Sequence, residues 1–300
     1  MEIVDFSNLF ELVKKQPKRK LVVANGVDEH TLEAVAIAVN KGIVDVLITG
    51  NTKQVRENCH LLGLSTGQYT IFDCQTDEEA ILTAVRLARL GEADLIMKGF
   101  VNTDLFMRAV LNKETGLLPK GALLTHLTMM NSPAYHKPLF FSDVAIIPQP
   151  DFEQKKQITK YLVAAAHRFG IKKPKVAFLA ATEKVIEKMQ ACVDAHELKK
   201  AWENGAFPDS YCDGPMAFDL AIDKEAVKIK NYQSLVAGDA DCLLFPNIES
   251  GNVFYKTNTR WCNAEVAAIV AGTTVPTVLS SRGDTTQTKL NSIALAALIG

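Results

Sequence analysis

Short apolar runs alternate with longer stretches of helical period along this chain. Runs at 20–24, 44–49, 69–72, 95–98, 144–147, 175–180, 242–245 and 275–279 are rich in β-branched residues and read as strands. Between them, 28–40, 52–62, 77–90, 103–111, 152–169, 185–203 and 250–271 carry apolar residues at three- and four-residue spacing and read as helices. Strands alternating with helices predict α/β units on mainly parallel sheets. Asp28 is placed to cap the first of these helices, and Asn102 or Thr103 the one after Lys98. Gly42 and Gly91 stand where helix C-caps are expected. The run 285–299 is very apolar over Ile293–Ile299 and alternates less than a surface helix would, which predicts a buried helix docked on the first domain.

Two breaker clusters, Asn131-Ser-Pro-Ala-Tyr-His-Lys-Pro138 and Pro148-Gln-Pro150, suggest a domain boundary. The expected division is 1–142 plus 284–300 for domain one and 143–283 for domain two. The turn-rich stretch Phe207-Pro-Asp-Ser-Tyr-Cys-Asp-Gly-Pro215 reads as an irregular loop.

Composition narrows the function classes. A net charge of −1 over 300 residues argues against a nucleic-acid binder, which needs a basic face. The apolar stretch nearest to a membrane span, 264–281, is interrupted by Glu265, Gly272 and Pro276. Met1-Glu-Ile-Val-Asp-Phe6 lacks the basic start of a secretory signal, so a cytoplasmic location is expected. The six cysteines form no C-x-x-C pair and read as reduced, mostly buried thiols. The six histidines show no metal-ligand spacing, so no metal is expected. GxGxxG after a strand, a P-loop and a G-x-S-x-G elbow are all missing from the sequence.

Ligands of open α/β sheets bind at the carboxyl ends of strands. Those ends carry Asn25-Gly-Val-Asp28, Gly50-Asn51, Lys98-Gly-Phe-Val-Asn-Thr103, Pro246-Asn-Ile-Glu-Ser-Gly-Asn252 and Ser280-Ser-Arg-Gly-Asp284. The last is the most informative. A strand there delivers hydroxyls and a guanidinium to a helix start, where unpaired N–H groups and a partial positive charge favour phosphate. Asp284 and Gln287 fit a capping box for that helix. Lys98, Arg108 and Arg282 are the cations best placed for an anionic substrate. Bland readings stand beside each: a solvated strand end for Lys98, an ion pair with Glu114 for Arg108, and a plain strand–turn–helix connection at Arg282. His126, within Leu123-Leu-Thr-His-Leu127, reads as a buried hydrogen-bonded histidine or a general base. Met97, Met107, Met129 and Met130 read as core filler or as an acyl-pocket wall. Asp213-Gly-Pro-Met-Ala-Phe-Asp219 reads as a turn and helix start.

Several of these segments, taken in order, resemble the phosphate acetyl/butyryl transferase family, and its butyryl branch most. They are Met97-Lys-Gly-Phe-Val-Asn-Thr103, Phe106-Met-Arg-Ala-Val-Leu-Asn-Lys113, Leu123-Leu-Thr-His-Leu127, Asp213-Gly-Pro-Met-Ala-Phe-Asp-Leu-Ala-Ile222, Phe245-Pro-Asn-Ile-Glu-Ser-Gly-Asn-Val-Phe-Tyr-Lys256 and Ser281-Arg-Gly-Asp284. The resemblance runs from about Val22 onward. It implies two α/β domains about a cleft, an architecture shared with isocitrate and isopropylmalate dehydrogenases. It implies reversible acyl transfer between a short-chain acyl-CoA and inorganic phosphate, giving acyl phosphate and CoA, without a cofactor. A homodimer or higher homo-oligomer, with no nucleic-acid or membrane partner, is part of the same expectation. Carried over residue by residue, Ser281 and Arg282 match the catalytic pair, and Lys98, Thr103, Arg108, Asn252 and Lys256 fall in the substrate- and phosphate-binding segments. The acetyl branch has acidic residues after Ser-Arg-Gly, one of them the base. This chain has Thr285, Thr286, Gln287 and Thr288 there, so Asp284 is either the base or a helix cap. The alternatives are a phosphate acetyltransferase, a non-catalytic CoA- or acyl-phosphate-binding protein, and an NAD-linked hydroxyacid dehydrogenase.

Overall fold

The computed structural model describes residues 6–279 and 283–300. The chain opens with α1 (Phe6–Lys14), then β1 (Arg19–Ala24), α2 (Glu29–Asn40), β2 (Val44–Gly50), α3 (Thr52–Leu61), β3 (Tyr69–Asp73), α4 (Asp77–Arg89), β4 (Leu95–Lys98) and α5 (Thr103–Val110). Next come β5 (Thr125–Asn131), β6 (Leu139–Ser142), α6 (Phe152–Arg168), β7 (Lys175–Leu179), α7 (Gln190–Glu203), β8 (Tyr211–Met216), α8 (Phe218–Ile222), α9 (Lys224–Ile229), β9 (Cys242–Leu244) and α10 (Ile248–Trp261). It closes with β10 (Glu265–Ala271), β11 (Thr277–Val278) and α11 (Thr286–Ile299).

Two compact α/β units result. The first comprises Phe6–Ala122 and Ala267–Gly300, the second Leu123–Val266. Residues 123–142 therefore group with the second unit and 267–283 with the first, unlike the division expected from the breaker clusters. Strand pairing is the reason. β5 and β6 form an antiparallel pair whose second strand lies parallel to β9, and β11 lies parallel to β4. Turn-forming prolines mark the chain's bends and say nothing of which strands pair across them.

In the first unit, β3, β2, β1, β4 and β11 run parallel in that order, and β10 pairs antiparallel with β11. Val22, Ala24 and Ile96 of the sheet pack against Ile81, Ala84 and Val85 of α4 and Phe106 of α5. Asp28 caps α2 by accepting from the Thr31 amide at 3.0 Å, as its sequence position predicts. Gly42 and Gly91 follow their helices with φ of 73° and 74°. α11 is buried from Lys289 to Leu298 and packs on α1, α2 and β11, so its apolar C-terminal half has the expected consequence.

In the second unit the order is β5, β6, β9, β7, β8, parallel apart from the β5–β6 pair. Phe141, Phe245 and Phe254 form the centre of its core, with ring centroids 5.2 Å apart for Phe141–Phe254. Cys59, Cys74, Cys192, Cys212 and Cys242 are buried free thiols, and Cys262 is half-buried. Burial pushes the Cys212 thiol up to about 12, which makes it inert at neutral pH. Among the described residues no helix is long and apolar enough to cross a membrane.

Candidate active site

β1 and β4 leave the first sheet side by side, with Ala24 opposite Lys98. Asn25 takes a left-handed conformation, φ 56°, which suits its short amide side chain. That side chain donates to the Phe100 carbonyl at 3.1 Å and to Asp77 Oδ1 at 2.9 Å. In return the Gly99 and Phe100 amides donate to the Ala24 and Asn25 carbonyls, each at 2.9 Å. A Cβ on Gly99 would collide with the Asn25 carbonyl, so only glycine allows the two loops to approach this closely.

Lys98 is 2 % exposed, which excludes the solvated strand end. Its Nζ turns back on its own loop and donates to the carbonyls of Gly99 at 3.1 Å and Val101 at 3.2 Å. Asn102 then caps α5, accepting from the amides of Asp104 at 2.8 Å and Leu105 at 3.3 Å. Thr103 and Arg108 lie exposed on this helix, whose apolar face buries Phe106 and Val110. Among the described residues Arg108 makes no ion pair with Glu114.

β11 runs beside β4 with Val278 opposite Met97, so its carboxyl end emerges with that of β4. Ser281 and Arg282 follow and lie outside the described residues, as do the roles read for them. Asp284 is half-buried, and the helix cap is Thr285, whose Oγ1 accepts from the Thr288 amide at 3.1 Å. The Asp284–Gln287 capping box is therefore not formed. Gln287 instead reaches along the helix to Asn291 Oδ1, 2.8 Å away. Thr286 ties this helix start to α2 through Glu33 Oε2 at 2.9 Å. Lys289, unforeseen in the sequence, is buried three residues into α11, where burial lowers its pKa and the carboxylates of Asp28 and Asp284 oppose the shift. Its position as the last charge before the apolar residues 293–299 is the signal that marks it.

Asn252 and Lys256 belong to the second unit, one turn apart on α10. The Asn252 amide donates to the Val144 carbonyl at 2.9 Å, and the exposed Lys256 places its Nζ 5.4 Å from the Tyr255 ring centre. The segment 144–147, expected as a strand, is a loop because the buried Asp143 carboxylate gathers its amides. Asp143 accepts from Ala145 at 2.7 Å, Ile146 at 2.9 Å and Ile147 at 3.3 Å, and from the Thr125 hydroxyl at 2.8 Å. His126 is buried in β5, with Nδ1 3.3 Å from Thr128 Oγ1 and its ring edge-on to Tyr255, the hydrogen-bonded reading of the two. Met97, Met129 and Met130 are buried core residues. Asp213 is not in a turn but in β8, ion-paired to Lys199 at 2.7 Å.

β4 and β11 thus end side by side in the first unit, with Lys98 folded back on its loop and Arg108 exposed on the helix that follows. The chain matches the family model described as Phosphate acetyl/butaryl transferase over residues 6–81 and 76–297. It belongs to that family and is an acyltransferase of the phosphotransacylase kind. It is 39% identical to a phosphate butyryltransferase of Clostridium acetobutylicum, over 99% of this chain and 98% of the relative. A phosphate acetyltransferase of Rhizobium meliloti is 34% identical over 98% of this chain and 92% of the relative. Among solved structures, a branched-chain phosphotransacylase from Enterococcus faecalis superposes with a TM-score of 0.83 at 27% identity, covering 93% of this chain and 99% of that one.

Proposed function

We propose that the protein is a phosphate butyryltransferase, exchanging the acyl group of butyryl-CoA between CoA and inorganic phosphate. The observation that carries the acyl preference is the full-length 39% identity to a phosphate butyryltransferase, against 34% to an acetyltransferase. The chain's own departure after Gly283 supports the same reading.

In the direction that consumes acyl phosphate, the CoA thiol loses its proton and the thiolate attacks the acyl carbonyl. A C–S bond forms, a tetrahedral oxyanion develops, and the C–O bond to phosphate breaks as the carbonyl re-forms. Ser281 donates to the oxyanion, and Arg282 holds the phosphate and steadies the charge that grows on it. Preorganised donors of this kind contribute ~3–4 kcal/mol each. Lys98 shapes the loop, and Thr103 and Arg108 on α5 bind phosphate. Asn252 and Lys256 bind substrate from α10. Asp284 takes the thiol proton, a role supported by Thr285 holding the cap in its place. A thiol near its reference pKa of ~8.5 is mostly protonated at neutral pH, so a base speeds the reaction without being indispensable. Bonds and protons balance between substrates and side chains, and no resident cofactor is proposed. Self-association is proposed as well. Phe218, Val253 and Trp261, exposed apolar side chains of the second unit, support it, and sedimentation equilibrium tests it.

The protein mixed with phosphate and a C2–C6 series of acyl-CoA thioesters should release free thiol fastest with butyryl-CoA. A maximum at acetyl-CoA would replace the butyryl assignment with the acetyl one. No phosphate-dependent release with any thioester would sink the acyl-CoA reading.

A further inference from the structure

Lys289 is a buried cation that the mechanism does not use. It is 4 % exposed, stands in the second turn of α11, and among the described residues makes no hydrogen bond or ion pair. Taking an ammonium out of water without a direct partner is costly, and a helix that needed only packing here would carry an apolar residue. Lys155 shows the ordinary solution in the same chain: its ammonium meets Asp194 directly, between α6 and α7.

The register of the helix start says what Lys289 faces. Thr285 is the N-cap, so Asp284 stands one residue before the cap and Lys289 at the fourth helical position. Side chains at these two positions meet across the first turn. When both are apolar they form a staple that fixes the angle at which a chain enters its helix. Here the same two positions carry a carboxylate and an ammonium. Asp28 and Asp284 are the carboxylates that act on Lys289 through space. Asp28 is anchored as the cap of α2, accepting from the Thr31 amide at 3.0 Å. The first turn of α11 is anchored too. The Thr286 hydroxyl donates to Glu33 Oε2 at 2.9 Å and lies 3.3 Å from His30 Nδ1, both on α2. Lys289 is thus a charge on a fixed helix turn, in the field of one anchored carboxylate and of the one at the helix entry. Asp284 directly follows Ser281-Arg282-Gly283 in the chain, so the angle of entry sets where its carboxylate stands.

We propose that Lys289 is a positioning residue for acyl transfer, a charged staple that holds the Asp284 carboxylate at the helix entry, in place to take the thiol proton. The proposal rests on the reading of Asp284 as the base, above. Lys289 acts through Asp284 and not on the reacting atoms. The proton passes from thiol to Asp284, and back in the opposite direction of the reaction, and Lys289 transfers none.

The test measures kcat and KM for phosphate-dependent thiol release from butyryl-CoA in the full chain, with Lys289→Met, Lys289→Arg, Asp284→Asn and the Lys289→Met, Asp284→Asn double variant. Lys289→Met should lower kcat about tenfold, the effect of a modestly misplaced group, while KM for butyryl-CoA and for phosphate stays within about twofold. Lys289→Arg, which keeps the charge, should recover most of the loss. In the Asp284→Asn background Lys289→Met should change kcat by less than about twofold, because the group it positions is gone. The urea midpoint of Lys289→Met should stay near that of wild type, which separates the rate from the fold. If that variant does not fold, Lys289→Gln, with its polar tip, takes its place under the same expectations. A wild-type kcat in Lys289→Met beside a slow Asp284→Asn overturns the proposal and leaves the base standing. Equal losses in both backgrounds overturn it as well, since Lys289 would then act apart from Asp284. A raised KM for phosphate at unchanged kcat would make Lys289 a phosphate ligand and equally overturn it. A wild-type rate in Asp284→Asn removes the base reading and this inference with it.

Discussion

Lys155 on α6 and Lys289 on α11 are equally buried, each 4 % exposed, yet their surroundings differ. Lys155 Nζ lies 2.5 Å from Asp194, whose other oxygen accepts from Gln190 at 2.7 Å. Charge is cancelled on the spot, and α6 is pinned to α7. Lys289 has no such partner among the described residues. Asp28 and Asp284 act on it only through space, and burial pulls its pKa down. The contrast separates a buried charge cancelled by a direct partner from one balanced only at a distance. Lys289, near the start of α11, is of the second kind among the described residues.

The largest effect should come from breaking the structural pair. Lys155→Met leaves Asp194 buried beside Gln190 alone, and removing one partner of a buried pair costs about 3–5 kcal/mol. Urea denaturation should show that loss, with kcat per folded molecule unchanged. Arg282→Ala should do the reverse. Turnover falls at least ~100-fold, the effect of losing one transition-state donor, and the denaturation midpoint stays put. A near-wild-type rate would remove Arg282 from the mechanism.

Asp284 and Thr285 sharpen the contrast within one helix start. Asp284→Asn should lower kcat by about 100-fold, the lower range for a general base, and abolish the acid limb of the pH–rate profile. Thr285→Ala should cost about 1 kcal/mol of stability, the worth of a cap, and leave that limb in place. If Asp284→Asn lowers the melting temperature and leaves the profile alone, the two roles are exchanged.

The smallest change is expected for Lys289→Met, within about 1 kcal/mol at pH 7, because an unpaired buried charge is replaced by an apolar side chain of similar length. The pH trend fixes the sign. Burial lowers the lysine's folded-state pKa below its unfolded value of ~10.4, so between the two the unfolded chain binds more protons. Wild type therefore gains stability as pH rises through that interval, and the variant lacks the gain. Denaturation at pH 7 to 10.5 should show the variant's relative stability falling as pH rises. A rising trend would mean that Lys289 is paired after all.

The helices were the legible part of the fold. Their caps use local chemistry, and Asp28, Asn102, Gly42 and Gly91 all sit where the pattern puts them. Strands that depend on distant partners were harder to read. β8 contains Asp213, Gly214 and Pro215, a turn vocabulary made extended by pairing with β7. β10 looked like more of α10, because its only local divider is Asn263, whose φ of 50° ends the helix. Sequence placed Lys98 at the carboxyl end of β4 and Arg108 on the helix after it, where the structure has them. It could not foresee that Lys98 folds back on its loop, nor that Thr285 takes the cap from Asp284. Both outcomes turn on which of two adjacent groups reaches an amide or carbonyl first, and spacing alone does not decide that.

The first unit begins at Phe6 and is finished by residues 267–300, with the whole second unit spelled out between. Arg19 even bonds the carbonyl of Gly300, at 2.7 Å. On a ribosome adding ~5–20 residues per second, β1 to β4 emerge many seconds before β11 and α11 can cover them. The second unit, contiguous in sequence, can settle while translation is still under way. The first must keep its unfinished sheet away from other nascent chains until residues 267–300 have been added. Production of this enzyme should therefore respond more to chaperone supply and elongation speed than its finished stability would suggest.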